Sequence, residues 1–261
     1  MFFHKARKRF GQNFLVDDGV VHNIISIFKP MTHDYVVEIG PGLSAITEPL
    51  VHSVDTLLCI EIDRDLVRIL EHKFSRYNNV RFIESDVLNF DFKTLNMGIR
   101  LIGNLPYNIS TQLLFKIMEF SDQIIDAHFM LQREVVDRMV AQPSSSNYGR
   151  LSVMLQERYE IERLFDIKPD SFNPVPKVFS SFVRIKPLPF DRVKPKNYDL
   201  FKKLVTRAFS QKRKILKNSL GEWSNYLDWE NLDLNSQIRA ENLSVNKFIM
   251  ISDFLDNKGI I

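Results

Sequence analysis

The sequence predicts an α/β fold: a parallel sheet covered by helices on both faces, followed by a small helical domain. Three observations predict it. From Tyr35 to about Gln142, short and nearly continuous apolar runs alternate with helical patterns, as in strands buried on both sides. A glycine turn, Gly40-Pro41-Gly42, directly follows the first of these runs. Beyond 186–197, a stretch dense in proline and charge, every run has the three- and four-residue spacing of helices.

In chain order the strand candidates are 35–40 (YVVEIG), 56–63 (TLLCIEID), 80–85 (VRFIES), 99–106 (IRLIGNLP) and 126–132 (DAHFMLQ). The first four carry β-branched Val, Ile or Thr residues that suit a pleated, buried surface, and 126–132 is apolar through Ala127, Phe129, Met130 and Leu131. Helical stretches follow near 44–52, 64–74, 110–120 and 133–141. Residues 149–158 then read as a helix and 161–169 as a strand, and after the Pro174-Val175-Pro176 break comes VFSSFVRIKP (178–187). In that last run Phe179, Val183 and Ile185 are expected to make apolar contacts. In the final part Phe201, Leu204, Val205, Ala208, Phe209, Ile215, Leu216 and Leu220 mark the buried side of helices. The expected organisation is a first domain over 1–190 and a small helical domain over 191–261, a division that 261 residues accommodate.

Composition narrows the function classes. Hydrophobic residues make up 44% and charged residues 26% of the chain, as in ordinary globular proteins. Cys59 is the single cysteine, so no internal disulfide and no multi-cysteine metal site can form, and no metal is expected. No apolar stretch approaches the roughly 18 residues that span a bilayer, and the basic start lacks the apolar segment of a secretory signal. A cytoplasmic protein, monomeric by default and with no membrane partner, is the expectation. Net charge is only +3, but the positive residues cluster. Lys5, Arg7, Lys8 and Arg9 occur near the start, and Lys202, Lys203, Arg207, Lys212, Arg213, Lys214 and Lys217 lie between 201 and 217, neither group with an acid among them. Such clusters suit a polyanion, although a solvated helix face explains either one alone.

The glycine turn carries the first chemical signal. Glycines at the end of a strand let the backbone turn tightly and approach a ligand closely. Glu61 ends the next strand 21 positions after Gly40, a spacing at which a carboxylate can accept the hydroxyl hydrogens of a ribose. Asp86 ends the third strand, where it can accept from an adenine amino group or simply cap a turn. A third glycine, required by a dinucleotide fingerprint, is replaced by Ala45. These residues indicate a nucleoside-containing cofactor without choosing among them.

Asn104-Leu105-Pro106-Tyr107 ends the fourth strand and suggests the reaction. The exocyclic nitrogen of adenine is a poor nucleophile because its lone pair is delocalised into the ring. An Asn side-chain oxygen and a backbone carbonyl can accept its two N–H groups and draw the nitrogen toward a tetrahedral shape. Pro106 stiffens the turn, and Tyr107 offers a stacking face for the base. An isolated NLPY is also what a plain turn looks like, and the residues leave open whether the adenine is in DNA or RNA.

Seven segments in order resemble the ribosomal RNA adenine N6-dimethyltransferases. They are Phe10-Gly11-Gln12-Asn13-Phe14-Leu15, EIGPGLSAIT (38–47), IEIDRD (60–65), GNLPYNIS (103–110), FMLQREVVDRM (129–139), YGRLSV (148–153) and FNPVPKVFSS (172–181). The resemblance runs from about Lys5 to Val183 and continues more weakly through SQKRKILKNSL and IRAENLSV. It implies a Rossmann-like class I methyltransferase sheet, mostly parallel with the last strand antiparallel. It implies S-adenosyl-L-methionine as cofactor, held by Asn13, Leu15, Gly40, Glu61 and Asp86, with Asn104 beside the reacting methyl. Asn104, Leu105, Pro106 and Tyr107 form the catalytic turn, and Phe172 matches an aromatic that stacks on the target base opposite Tyr107. Read without the resemblance, Phe172 suits a core position. Ser44 stands where many methyltransferase loops have glycine. The implied partner is 16S rRNA in the 30S subunit or its precursor, with the basic N-terminus, the 201–217 face and Arg133 and Arg138 on phosphates and the target base splayed out. The alternatives are a 23S rRNA adenine methylase, a non-catalytic pre-rRNA-binding assembly factor, and a nicotinamide dehydrogenase.

Overall fold

The computed structural model describes residues 6, 7, 10–211 and 213–259, so Lys5, Lys8, Arg9 and Lys212 lie outside the described residues. Two compact units are present: Met1–Val136 with Glu160–Pro187, and Asp137–Tyr159 with Leu188–Ile261.

The first unit is built on a seven-stranded sheet. Its strands are β2 (Tyr35–Ile39), β3 (Thr56–Glu61), β4 (Val80–Glu84), β5 (Ile99–Asn104), β6 (Ile124–Gln132), β7 (Tyr159–Ile167) and β9 (Ser180–Pro187), in the order β4-β3-β2-β5-β6-β9-β7. Strands β2 to β6 pair in parallel, and β9 runs antiparallel to β6. This is the mostly parallel sheet with an antiparallel last strand that the resemblance implied. The chain leaves β2 toward β3 and β4, then returns to β2's other side as β5. That reversal opens a crevice beyond the carboxyl ends of β2 and β5, where ligands of open α/β sheets bind.

The strand cores explain why these segments pair. Val36, Val37, Leu57, Cys59, Leu101 and Ile102 are all at most 1% exposed, and such continuous apolar runs are stable only under cover from both faces. Cys59 is a buried free thiol. At the amino end of the sheet Arg100 donates to Asp34, Asp126 and the carbonyls of Phe28 and Lys29. Its guanidinium thereby satisfies the last carbonyls of α1 (Asp18–Phe28), a helix that the patterning above does not include. Asp17 caps α1 by accepting from Val20 N, and Ile24 and Phe28 bury its inner face. Two further elements are the two-residue strands β1 (Phe14–Leu15) and β8 (Phe172–Asn173), which pair with each other, Leu15 opposite Phe172. The helices α2 (Thr47–Val51), α3 (Arg64–Lys73), α4 (Ser110–Ile117) and α5 (Arg133–Met139) follow their strands as the sequence predicts.

The second unit is helical: α6 (Arg150–Gln156), α7 (Tyr198–Ala208), α8 (Leu216–Leu220) and α9 (Val245–Asn257). Residues 137–159 belong here rather than with the sheet, unlike a single cut near 190. The Tyr148 hydroxyl donates to the Leu243 carbonyl at 2.8 Å, and Ser144 N to the Glu241 carbonyl at 2.7 Å. In α7 Phe201, Leu204, Val205 and Ala208 are buried while Lys202, Lys203 and Arg207 are exposed, as are Arg213, Lys214 and Lys217 beyond it. Arg207 lies 5.1 Å from the Trp223 ring. Phe179 of the first unit departs from the expected apolar contact: it is 43% exposed, with the Arg133 guanidinium 5.3 Å from its ring.

Candidate active site

The crevice at the strand reversal holds a cleft of about 890 Å³, counting the part that opens to solvent. Its walls come from the N-terminal segment, the turn after β2, the ends of β3 and β4, and the NLPY turn after β5. Asn13, Leu15, Gly40, Glu61, Asp86, Asn104, Leu105, Pro106 and Tyr107 all line it.

Backbone conformation shapes the floor. Gly40 and Gly42 have φ of 69° and 56°, the left-handed region that side chains disfavour. A Cβ on Gly42 would meet the Phe14 ring at 2.9 Å, and one on Gly103 would sit 2.4 Å from the Ile39 carbonyl oxygen. Gly103 therefore lets β5 lie close to β2 immediately before Asn104.

Glu61 is 5% exposed. One carboxylate oxygen accepts from Gly42 N at 3.3 Å and the other from Asp63 N at 3.0 Å, which ties the glycine turn to the end of β3. Burial raises its pKa, and backbone hydrogen bonds oppose the rise. Lone pairs on both oxygens remain for the hydroxyls of a ribose. Asp63 caps α3 and receives Arg7 Nη1 at 2.8 Å and Gln12 Nε2 at 3.2 Å, while Arg7 also reaches Asp65. These bonds hold the N-terminal segment across the cleft edge. Neither the basic run nor the acid at Asp63 revealed this pairing, because it joins residues far apart in sequence. Asp86 accepts from Leu88 N at 2.9 Å and Asn89 Nδ2 at 3.3 Å. It is thus a turn residue and a cleft residue at once.

Glu38, a buried residue at the edge of the cleft lining, accepts from Thr47 Oγ1 at 2.7 Å and lies 3.6 Å from Cys59 Sγ. Burial pushes its carboxyl up to about 7, with the nearby Glu61 adding to the rise and the two hydrogen bonds opposing it.

Asn104 has a defined orientation. Its Nδ2 donates to the Asn13 carbonyl at 2.7 Å, so the amide must present Oδ1 on its other side as an acceptor. Leu105 N donates to the Met130 carbonyl at 3.2 Å, and Ile109 N to the Pro106 carbonyl, which stiffens the turn. The Tyr107 hydroxyl is 2.8 Å from Ser180 Oγ at the start of β9, leaving its ring half-buried at the cleft. Phe172 is placed differently. It is 1% exposed and packs in the hydrophobic core with Leu15, Ile24 and Phe28. Phe172 is not among the residues that line the cleft, although Leu15, its partner in β1, is.

Among the described residues no group of histidines, cysteines and carboxylates has metal-site geometry, and no helix is long and apolar enough to cross a membrane. The cleft presents backbone curvature, a ribose-type carboxylate and an amide acceptor. That donor set fits a nucleoside cofactor beside an amino-group substrate.

The chain is similar in sequence and fold to known proteins. The family model described as ribosomal RNA adenine dimethylase matches residues 3–257. The ribosomal RNA small subunit methyltransferase A of Bordetella petrii is 50% identical over 258 residues, covering 99% of this chain and 98% of the relative. The protein of the same name from Neisseria meningitidis serogroup A is 47% identical, covering 98% and 99%. A dimethyladenosine transferase from Plasmodium falciparum superposes with a TM-score of 0.83 at 26% identity, covering 95% of this chain and 98% of that one. The 23S rRNA methyltransferase ErmE superposes with a TM-score of 0.70 at 22% identity, covering 94% and 100%, a likeness of fold.

Proposed function

The chain belongs to the ribosomal RNA adenine dimethylase family, and from that premise we propose that it dimethylates N6 of two adjacent adenosines near the 3′ end of 16S rRNA in the 30S subunit or its precursor. It is an S-adenosylmethionine-dependent methyltransferase. The observation that carries the reading is the fixed Asn104 amide. With Nδ2 committed to the Asn13 carbonyl, Oδ1 faces the cleft as a pre-set acceptor.

When bound, S-adenosylmethionine supplies a methyl group on a sulfonium, which leaves as a neutral thioether. Glu61 holds the ribose and Asp86 the cofactor's adenine, while Gly40 lets the backbone approach. Asn13 and Leu15 close the cleft from the N-terminal side. Asn104 Oδ1 and a backbone carbonyl of the Leu105–Pro106 turn accept the two N–H groups of the target. These bonds strengthen as the nitrogen becomes tetrahedral and its lone pair localises. The methylated nitrogen is cationic and acidic, so its proton passes to solvent without a dedicated base. Tyr107 stacks on the base, its ring fixed by Ser180. Phe172, being buried, packs behind the N-terminal wall against Leu15.

The exposed cations Lys202, Lys203, Arg207, Arg213, Lys214 and Lys217 hold rRNA phosphates. The protein acts as a monomer in the cytoplasm. Methyl transfer to undermethylated 30S subunits, compared with 23S rRNA, is the test. Transfer to adenines of 16S rRNA supports the reading, and transfer to 23S rRNA alone overturns it.

A further inference from the structure

Ser44 occupies a backbone conformation that side chains avoid, with φ 74°, and it is 1% exposed. Residues in that region persist only where their surroundings over-determine them. Here Ser44 N donates to the Pro41 carbonyl at 2.8 Å, and its own carbonyl accepts from Glu48 N at 3.0 Å. The hydroxyl donates to the Leu43 carbonyl, which leaves a buried oxygen needing a donor. Lys73 Nζ supplies it at 2.9 Å. Lys73 is the last residue of α3. Leu43 and Ala45 line the cleft, whereas Ser44 and Lys73 do not.

We propose that Lys73 is a positioning residue: its ammonium, bonded to Ser44 Oγ, holds the strained turn in the shape that presents Gly40 and Gly42 to the cofactor. The inference rests on the assignment of S-adenosylmethionine to this cleft. The ammonium also pairs with Glu48, but those side chains are 43% and 55% exposed, and an exposed ion pair contributes little. The contact with buried Ser44 is the one that counts. Without it the hydroxyl is left short of a donor and the turn is free to relax toward negative φ. That relaxation moves Gly42 N away from Glu61.

The test is a double-substitution cycle on the full chain, read by calorimetric titration with S-adenosylhomocysteine and by thermal melting. Lys73→Met weakens binding about fivefold, the scale of one charge-assisted hydrogen bond discounted for partial exposure. In a Ser44→Gly background the same change costs less than twofold, because glycine adopts the turn without strain and has no hydroxyl to hold. Lys73→Gln, too short to reach Ser44, is the second variant and gives the same pattern if Lys73→Met fails to fold. Glu48→Gln alone changes binding less than twofold. Equal losses in both backgrounds, no loss in either, or a Glu48→Gln loss as large as that of Lys73→Met would each overturn the proposal. Failure of the unaltered protein to bind the ligand would sink the cofactor assignment and this inference with it.

Discussion

Substituting Asn104 tests the chemistry most directly, and its 2.7 Å bond to the Asn13 carbonyl sets what to expect. Asn104→Ala removes an acceptor whose bond strengthens only as the adenine nitrogen becomes tetrahedral. Loss of one such positioned group costs about 3 to 4 kcal/mol in the transition state, or a hundredfold or more in rate. The same change leaves the part-buried Asn13 carbonyl without its donor, a ground-state cost of about 1 to 3 kcal/mol. That second cost falls on protein stability and on the order of the N-terminal segment, so melting separates it from the first. Asn104→Asp adds a sharper test. An ionised carboxylate sets oxygen against oxygen at the Asn13 contact, and only the protonated acid can donate there while still offering an acceptor to the base. Residual activity of Asn104→Asp is therefore expected to rise as pH falls, and that of Asn104→Ala is not. The assay is single-turnover methylation of undermethylated 30S subunits at saturating S-adenosylmethionine. A rate for Asn104→Ala within threefold of the parent would refute the reasoning.

Glu61→Ala is expected to weaken S-adenosylmethionine binding by about 2 kcal/mol, roughly thirtyfold, since Asp63 is already committed to Arg7, Gln12 and Asp65 N; equal affinities by calorimetry would remove Glu61 from the site. Glu38 has its carboxyl pushed from 4.5 up to about 7. The folded state thus holds that proton more tightly than the unfolded chain, which favours folding below pH 4.5, and the contribution is lost as pH rises through about 7. The difference is on the order of 3 kcal/mol. Glu38→Gln is expected to flatten the pH dependence of unfolding free energy across that window, and denaturant titrations giving parallel curves for both proteins would refute it. Replacing Arg207, Lys212, Arg213 and Lys214 with glutamine is expected to weaken 30S binding and reduce its log–log salt slope by about one per lost phosphate contact. An unchanged slope would assign these charges to solvation alone.

The sheet was legible because its signals are local. Val36, Val37 and Ile39, or Leu57, Leu58 and Ile60, announce a buried strand within a few residues, and Gly40, Glu61, Asp86 and Asn104 fall at strand ends that the apolar runs delimit. The helix α1 also carries local signals, with Asp17 before Val20, Val21, Ile24, Ile25 and Phe28, but it precedes the alternating pattern that marks the sheet. What could not be read was anything created by distant pairing. Two-residue strands such as β1 and β8 carry no periodicity, and their partnership exists only in the folded chain. Phe172 lies in the core beside that pairing, as the plain sequence suggests and unlike the stacking role that the resemblance implies. The link of Arg7 to Asp63 has the same origin. Phe179, expected from its apolar run to make apolar contacts, precedes the first residue of β9 and lies open beside Arg133.

The antiparallel stitch between β1 and β8 has a consequence for synthesis. The floor of the cleft is encoded by residues 38–109, but its N-terminal wall is fastened by residues made much later: Leu15 pairs with Phe172, and the Ser171 hydroxyl reaches Asp17 across 154 positions of sequence. An emerging chain therefore has a partial cradle long before it has a closed one. The N-terminal wall can be fastened only after residue 173 has been made.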